Sequence, residues 1–191
     1  MADTKLANPG ALGLGGFALT TFVLSVVNTG LIDGDNVGMV LPLALFYGGL
    51  AQFCAGMWDV KRGDIFGATC FSSYGMFWIA VATMILLEKG GVIADVPREG
   101  LGVLFIGWGF FTLYATAASF KVARAVTAVF VPLTIVFFLL AIGEWSSTVH
   151  KIAGYGGILV ALLAWYCSAA ILINDLSGKE VLPMGHAAPA A

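Results

Sequence analysis

Thr20, Gln52, Tyr74, Trp78 and Thr112 carry polar groups, and each lies in a stretch of sequence without a charged residue. Hydroxyls, a primary amide and an indole N–H can replace water around a small solute, but none is by itself a strong acid or base near neutral pH. Bond-breaking chemistry has no footing beside them. The sequence contains no HExxH, no CxxC and no Ser–His–Asp set, and His150 and His186 fall outside the charge-free stretches. No nucleophile therefore has a base in reach. Cys54, Cys70 and Cys167 are odd in number and lie in apolar runs, which argues against a disulfide framework and reads as packing. The expectation is a protein that is not an enzyme and needs no metal or cofactor.

The polar groups themselves stay open to two readings. A primary amide in an apolar medium must find partners, so Gln52 either glues helices together or lines a wet pathway. Thr20 and Thr112 can bond their own helix carbonyls or face a solute. Tyr74 and Trp78 can be packing residues whose polar tips find partners, or part of a lining.

What must position these groups follows from composition and charge. Of 191 residues, 60% are hydrophobic and only 10% charged, with mean hydropathy +0.96. A soluble domain carries about 25% charged residues, so this chain could not cover a globular surface. Disorder fails by the same test, being poor in apolar residues. Six charge-free windows lie between Lys5 and Asp33, and over 36–58, 65–87, 100–120, 125–143 and 152–174. Each is long enough for a helix to cross the hydrocarbon core, which takes about 20 residues. In lipid only helices and closed barrels satisfy their backbone, and the alternating segments of a barrel are absent. The fold class is therefore all-α: one six-helix transmembrane domain over 1–191, with helices near 9–30, 38–58, 65–87, 100–120, 124–143 and 152–174. Residues 178–191 are expected as a flexible tail.

Basic residues orient the bundle. Lys5, Lys61, Arg62, Lys121, Arg124 and Lys179 fall on one side, against Lys89, Arg98 and Lys151 on the other. By the positive-inside rule both termini are cytoplasmic. The first eight residues are not a strongly basic signal start, so the first helix is expected to be retained. Asn8-Pro9-Gly10 reads as a capping amide followed by proline at the first helical position, leaving first-turn amides that attract anions. The island Asp59–Asp64 reads as a solvated turn. Helical spacing aligns Gly154, Gly157, Ala161, Ala164 and Ser168 as a stripe of small residues, which lets membrane helices approach closely. It also sets Thr112 with Gly109, Thr116 and Ser119, and Tyr74 with Gly67, Phe71 and Trp78.

Several motifs are similar to those of the acetate uptake transporter family, the succinate–acetate permeases. They are Asn8-Pro9-Gly10-Ala11-Leu12-Gly13-Leu14 running on to Thr20-Thr21, Phe46-Tyr47-Gly48-Gly49-Leu50-Ala51-Gln52, Ser73-Tyr74-Gly75 with Phe77-Trp78, and Val181-Leu182-Pro183-Met184-Gly185. The resemblance runs almost end to end. It implies a six-helix channel-like protomer assembled as a hexamer, in the bacterial inner membrane, that passes acetate and related short carboxylates such as succinate. It also implies a hydrophobic constriction at Phe17, Tyr74 and Leu133. Asn8, Thr20 and Gln52 fall on family motif positions, and Ala164 on the stretch facing the substrate route. Two departures are Ala11, where the family usually has a second proline, and Asp59, one methylene shorter than the usual acid.

Residues and resemblance converge on an expectation. A carboxylate crosses through neutral donors from Thr, Tyr, Gln and helix-start amides, with no fixed cation to hold it and no intramembrane carboxylate relay. Protons enter as a possible co-substrate, by a channel or a proton-linked permease mechanism. The lipid bilayer and copies of the chain are the expected partners, and nucleic acid is not. Two alternatives stay open: a channel for a neutral solute such as urea, an amide or ammonia, and a non-transporting membrane scaffold.

Overall fold

The computed structural model describes residues 6–186, so Lys5 and the expected tail residues 187–191 lie outside the described residues. Six helices follow one another: α1 Gly10–Thr29, α2 Gly34–Arg62, α3 Ile65–Lys89, α4 Arg98–Ser119, α5 Arg124–Gly143 and α6 Ser147–Ser177. Each is long and apolar enough to span a membrane. Among the described residues the only strand-like pairing is one bridge between Ala123 and His186. Large apolar side chains such as Phe46, Ile65, Phe110, Ile135 and Leu162 face outward. In a soluble protein such a surface would aggregate; in lipid it is the correct exterior, and the chain is a multi-pass membrane protein.

The helices pack mainly against their chain neighbours, and broad contact between α1 and α6 closes the ring. That contact uses the small-residue stripe. Gly154 lies against the backbone of Asn28 and Thr29, Gly157 against Ser25, and the Ser168 hydroxyl donates to the Ala11 carbonyl at 2.6 Å. The seam between α3 and α4 is the sparsest in the ring. Aromatic side chains fill it, with Tyr74 and Phe77 of α3 meeting Trp108 and Phe111 of α4.

Three local features differ from the sequence expectation. The second helix is not one regular α-helix: an α segment ends at Pro42, a π-helix runs over Leu43–Ala51, and α-helix resumes at Gln52. Pro42 has no N–H to donate and ends the α segment, and the wider π pairing begins at the next residue. Gly49 is suited to this stretch, because a Cβ there would collide with the Ala44 carbonyl oxygen.

The island Asp59–Asp64 is only partly solvated. Asp59 is 1% exposed and accepts a 2.7 Å hydrogen bond from Arg62, while Asp64 caps α3 by accepting from the Gly67 amide at 2.9 Å. Gly63 makes the turn between them with φ of 77°, a left-handed conformation that costs glycine little.

The third difference is the segment 178–186, which is docked and not frayed. The Asn174 side chain accepts from the amides of Val181 and Leu182 and donates to the Leu182 carbonyl, and Tyr166 donates to the Pro183 carbonyl. The amides of Arg124 and Ala125 then donate to Gly185 and Met184, burying Met184. Asn174 and Tyr166 supply the hydrogen bonds that a polar, glycine-flanked tail lacks by itself.

Candidate functional site

Three spaces follow one another through the ring. A vestibule of about 450 Å³ opens where the two ends of the described chain meet, lined by Asn8, Asp59, Asp64, Phe130, Met184 and His186 among others. A second vestibule of about 240 Å³ opens at the far end, where Glu88, Glu144 and His150 line it. Between them lies a waist of about 20 Å³. That is room for about one water molecule. Leu14, Cys70, Phe71 and Phe130 line both the waist and the first vestibule. Phe17, Tyr74 and Leu133 line both the waist and the far vestibule, so they form the wall between those two spaces.

Each wall residue comes from a different helix, and all three are buried. Phe17 of α1 meets the Tyr74 ring with centroids 5.9 Å apart. Tyr74 sits at the centre of an aromatic cluster, edge-on to Phe111 at 5.3 Å and parallel to Phe137 at 6.5 Å. Its hydroxyl lies 2.8 Å from the Thr112 hydroxyl on α4. The tyrosine thus lines the waist with its hydroxyl already engaged by Thr112.

Gln52, the first residue after the π-helix, lines the waist with 1% exposure, and its Oε1 has no hydrogen-bond partner among the described residues. An unpartnered buried amide oxygen is costly in an apolar setting, which favours the pathway reading over glue. Trp78 lines the far vestibule, and its Nε1 is likewise unpartnered. Asn8 lines the opposite vestibule, where its Oδ1 accepts from the Gly10 amide at 2.9 Å and from Arg62 at 3.1 Å. The expected helix-start arrangement is present, one residue later than expected, with the helix opening at Gly10 after Pro9.

Thr20, Thr112 and Ala164 line none of these three spaces. Thr20 is fully buried against Gly48 with its hydroxyl unpartnered. Ala164 is fully buried, on the small-residue stripe of α6. Thr112 serves Tyr74.

Sequence reasoning missed Phe130, the burial of Asp59 beside the vestibule, and the far-side group Glu88, Glu144 and His150. Phe130 was within reach, since it lies one helical turn before Leu133 and must share its face. Glu144 and His150 both lie between the fifth and sixth charge-free windows. In the structure α6 begins at Ser147, capped by Ser146, which carries His150 into the first turn and over the vestibule. Burial holds the Glu144 carboxyl above the ordinary glutamate range, with His150 partly opposing the shift.

Among the described residues there is no cluster of three His, Cys, Asp or Glu side chains able to hold a metal ion. The arrangement can pass a small solute between two vestibules through a neutral waist of aromatic and aliphatic side chains.

A family model described as the GPR1/FUN34/yaaH family matches residues 1–184. The chain is 40% identical over 189 residues to the succinate-acetate/proton symporter SatP of Escherichia coli strain K12, covering 97% of this chain and 99% of that protein. It is 37% identical over 201 residues to acetate permease A of Emericella nidulans, covering 95% of this chain and 67% of that one. A solved structure of the bacterial acetate channel SatP superposes with a TM-score of 0.91 at 39% identity, over 95% of this chain and all of the other.

Proposed function

The chain belongs to the GPR1/FUN34/yaaH family, and from that premise we propose that it carries acetate and other short carboxylates, succinate included, across a membrane. The observation that carries the reading is the waist: about 20 Å³ between two far larger vestibules, walled by Phe17, Tyr74 and Leu133 and offering one unpartnered acceptor, the Gln52 Oε1, which suits the O–H of a protonated carboxylic acid. A carboxylate gives up water on entering such a space, and a fixed cation would then bind it too tightly to release. Neutral hydrogen-bonding groups avoid that trap. The waist as it stands is too small for acetate, so passage requires side chains to swing aside. Rotamer changes of that kind are fast compared with transport.

No acidic residue lines the waist among the described residues, which supports uptake in which the substrate itself brings the proton over a fixed carboxylate relay. The excess of Lys and Arg on the side of the chain ends supports cytoplasmic termini and an inner-membrane location. The hexamer belongs to the same proposal, with the outward apolar faces available for both lipid and neighbouring copies.

The test is uptake of radiolabelled acetate into vesicles containing the pure protein, at two pH values, with and without a membrane potential. Flux that rises as external pH falls and ignores the potential is the expected result. No acetate flux above empty vesicles overturns the reading, and competition by excess urea would instead favour a neutral-solute channel.

Glu144 gives that pH dependence a second component. Because burial raises its pKa, it keeps its proton at a higher pH than an ordinary glutamate. As pH falls toward that value the far vestibule loses a negative charge that repels anions. Glu144→Gln is therefore expected to raise carboxylate flux about twofold to threefold near neutral pH and to match the wild type at acidic pH, since one charge at a partly solvated mouth is worth about 0.5 kcal/mol. Comparing the two proteins at each pH cancels the titration of the substrate itself.

A further inference from the structure

We propose that Thr112 is a positioning residue that sets the size limit of the pathway, by holding the Tyr74 ring as the fixed wall of the waist. The proposal rests on the transport reading and adds to it a residue that touches no substrate. Its ground is the direction of a hydrogen-bond chain. The Thr112 hydroxyl lies 2.7 Å from the Trp108 carbonyl oxygen and 2.8 Å from the Tyr74 hydroxyl. A carbonyl can only accept, so Thr112 spends its single proton on Trp108. Tyr74 must then be the donor to Thr112. The chain runs Tyr74 O–H to Thr112 O–H to Trp108 C=O, and it ends on helix backbone, which cannot swing.

The place of this bond matters as much as its direction. It crosses the seam between α3 and α4, the sparsest contact in the ring, where no close backbone packing sets the tyrosine's position. The neighbouring rings of Trp108 and Phe111, at 5.6 and 5.3 Å, shape the space around Tyr74 without fixing its rotation the way a directional bond does. Phe17 and Leu133, the other two walls, have no polar tether. The waist must therefore open by movement of Phe17 and Leu133 against a stationary Tyr74.

One turn further along α4, Thr116 reaches toward α5. Its hydroxyl lies 2.8 Å from the Thr112 carbonyl of its own helix and 2.8 Å from the Thr134 hydroxyl, which links α4 to the turn of α5 that follows Leu133. Thr116 thus ties the backbones of α4 and α5 together and leaves the Leu133 side chain free to move, whereas Thr112 holds the Tyr74 side chain itself.

The experiment is competitive uptake of acetate and butyrate into vesicles by Thr112→Val, Thr112→Ser, Tyr74→Phe and the Thr112→Val/Tyr74→Phe double variant. Valine keeps the shape of threonine and removes the hydroxyl; serine keeps the hydroxyl. Thr112→Val is expected to raise the butyrate-to-acetate flux ratio about fivefold, the change one neutral hydrogen bond is worth. Thr112→Ser should stay near the wild-type ratio. Tyr74→Phe removes the same bond from the other end and should reproduce Thr112→Val, and the double variant should add nothing further, because both lesions delete one interaction. If Thr112→Val does not yield folded protein, Tyr74→Phe decides alone. An unchanged ratio in the folded variants, multiplying effects in the double variant, or a serine variant that behaves like valine overturns the positioning role and leaves acetate transport standing. A wild type without acetate flux overturns the transport reading, and the proposal with it.

Discussion

Tyr74→Ala is expected to raise butyrate flux relative to acetate roughly tenfold or more, since a pocket distinguishes a single methylene by about that factor and butyrate carries two more than acetate. The ring is the shared wall of the waist and the far vestibule, so its removal joins a space of about 20 Å³ to one of about 240 Å³. Tyr74 also meets Phe17, Trp108, Phe111, Phe130 and Phe137, and truncating so central an aromatic residue costs about 3–5 kcal/mol of stability. The two effects separate experimentally. Thermal unfolding in detergent reads the cavity, while the flux ratio in vesicles, normalised to folded protein, reads the wall. A folded Tyr74→Ala protein that discriminates as well as the wild type would remove Tyr74 from the size filter.

Gly75→Val is expected to act next door and by a different route. A Cβ on Gly75 would lie 2.7 Å from the Phe53 amide nitrogen, 2.8 Å from the Gly49 carbonyl oxygen and 3.0 Å from the Phe53 Cα. All three are backbone atoms of α2, so no side chain can rotate to make room. The helices must separate where the π-helix hands over to Gln52. Overpacking by a methyl group or two costs about 1–3 kcal/mol when side chains can yield, so about 3 kcal/mol or more is expected here. The checks are yield, monodispersity and unfolding temperature of the purified protein, with Gly75→Ala expected to fall between valine and wild type. A valine variant as stable as the wild type would show that α2 and α3 can part at this crossing without cost.

Most of the architecture was legible because the bilayer imposes a simple rule: a span must be long, apolar and helical. Charge-free windows therefore located all six helices, and the small-residue stripe of α6 marked a face for close helix packing without saying which helix fills it. The π-helix was not legible. A proline such as Pro42 in a membrane helix can produce a kink, a break or a widened turn, and the choice depends on what packs against it. Burial of Asp59 was hidden for a related reason: Arg62 lies only three residues on in the same helix, but the place beside Gly67 of α3 is a tertiary fact. The hydroxyl of Thr112 was visible as a bundle-facing group, but only the distances to Tyr74 and Trp108 reveal what it serves. Its spacing would have been the same had it faced the solute.

The broad contact between α1 and α6 bears on how the molecule is made. The helix that leaves the ribosome first finds its largest partner in the helix that emerges last of the six. Until then the face of α1 built around Ala11, Ser25, Asn28 and Thr29 lacks its match, and the aqueous route has no far wall. Five inserted helices are thus an open half-shell, dependent on lipid or on the insertion machinery to cover the gap. Assembly of this bundle ends in a single locking event, late in synthesis, that turns a curved row of helices into a closed tube.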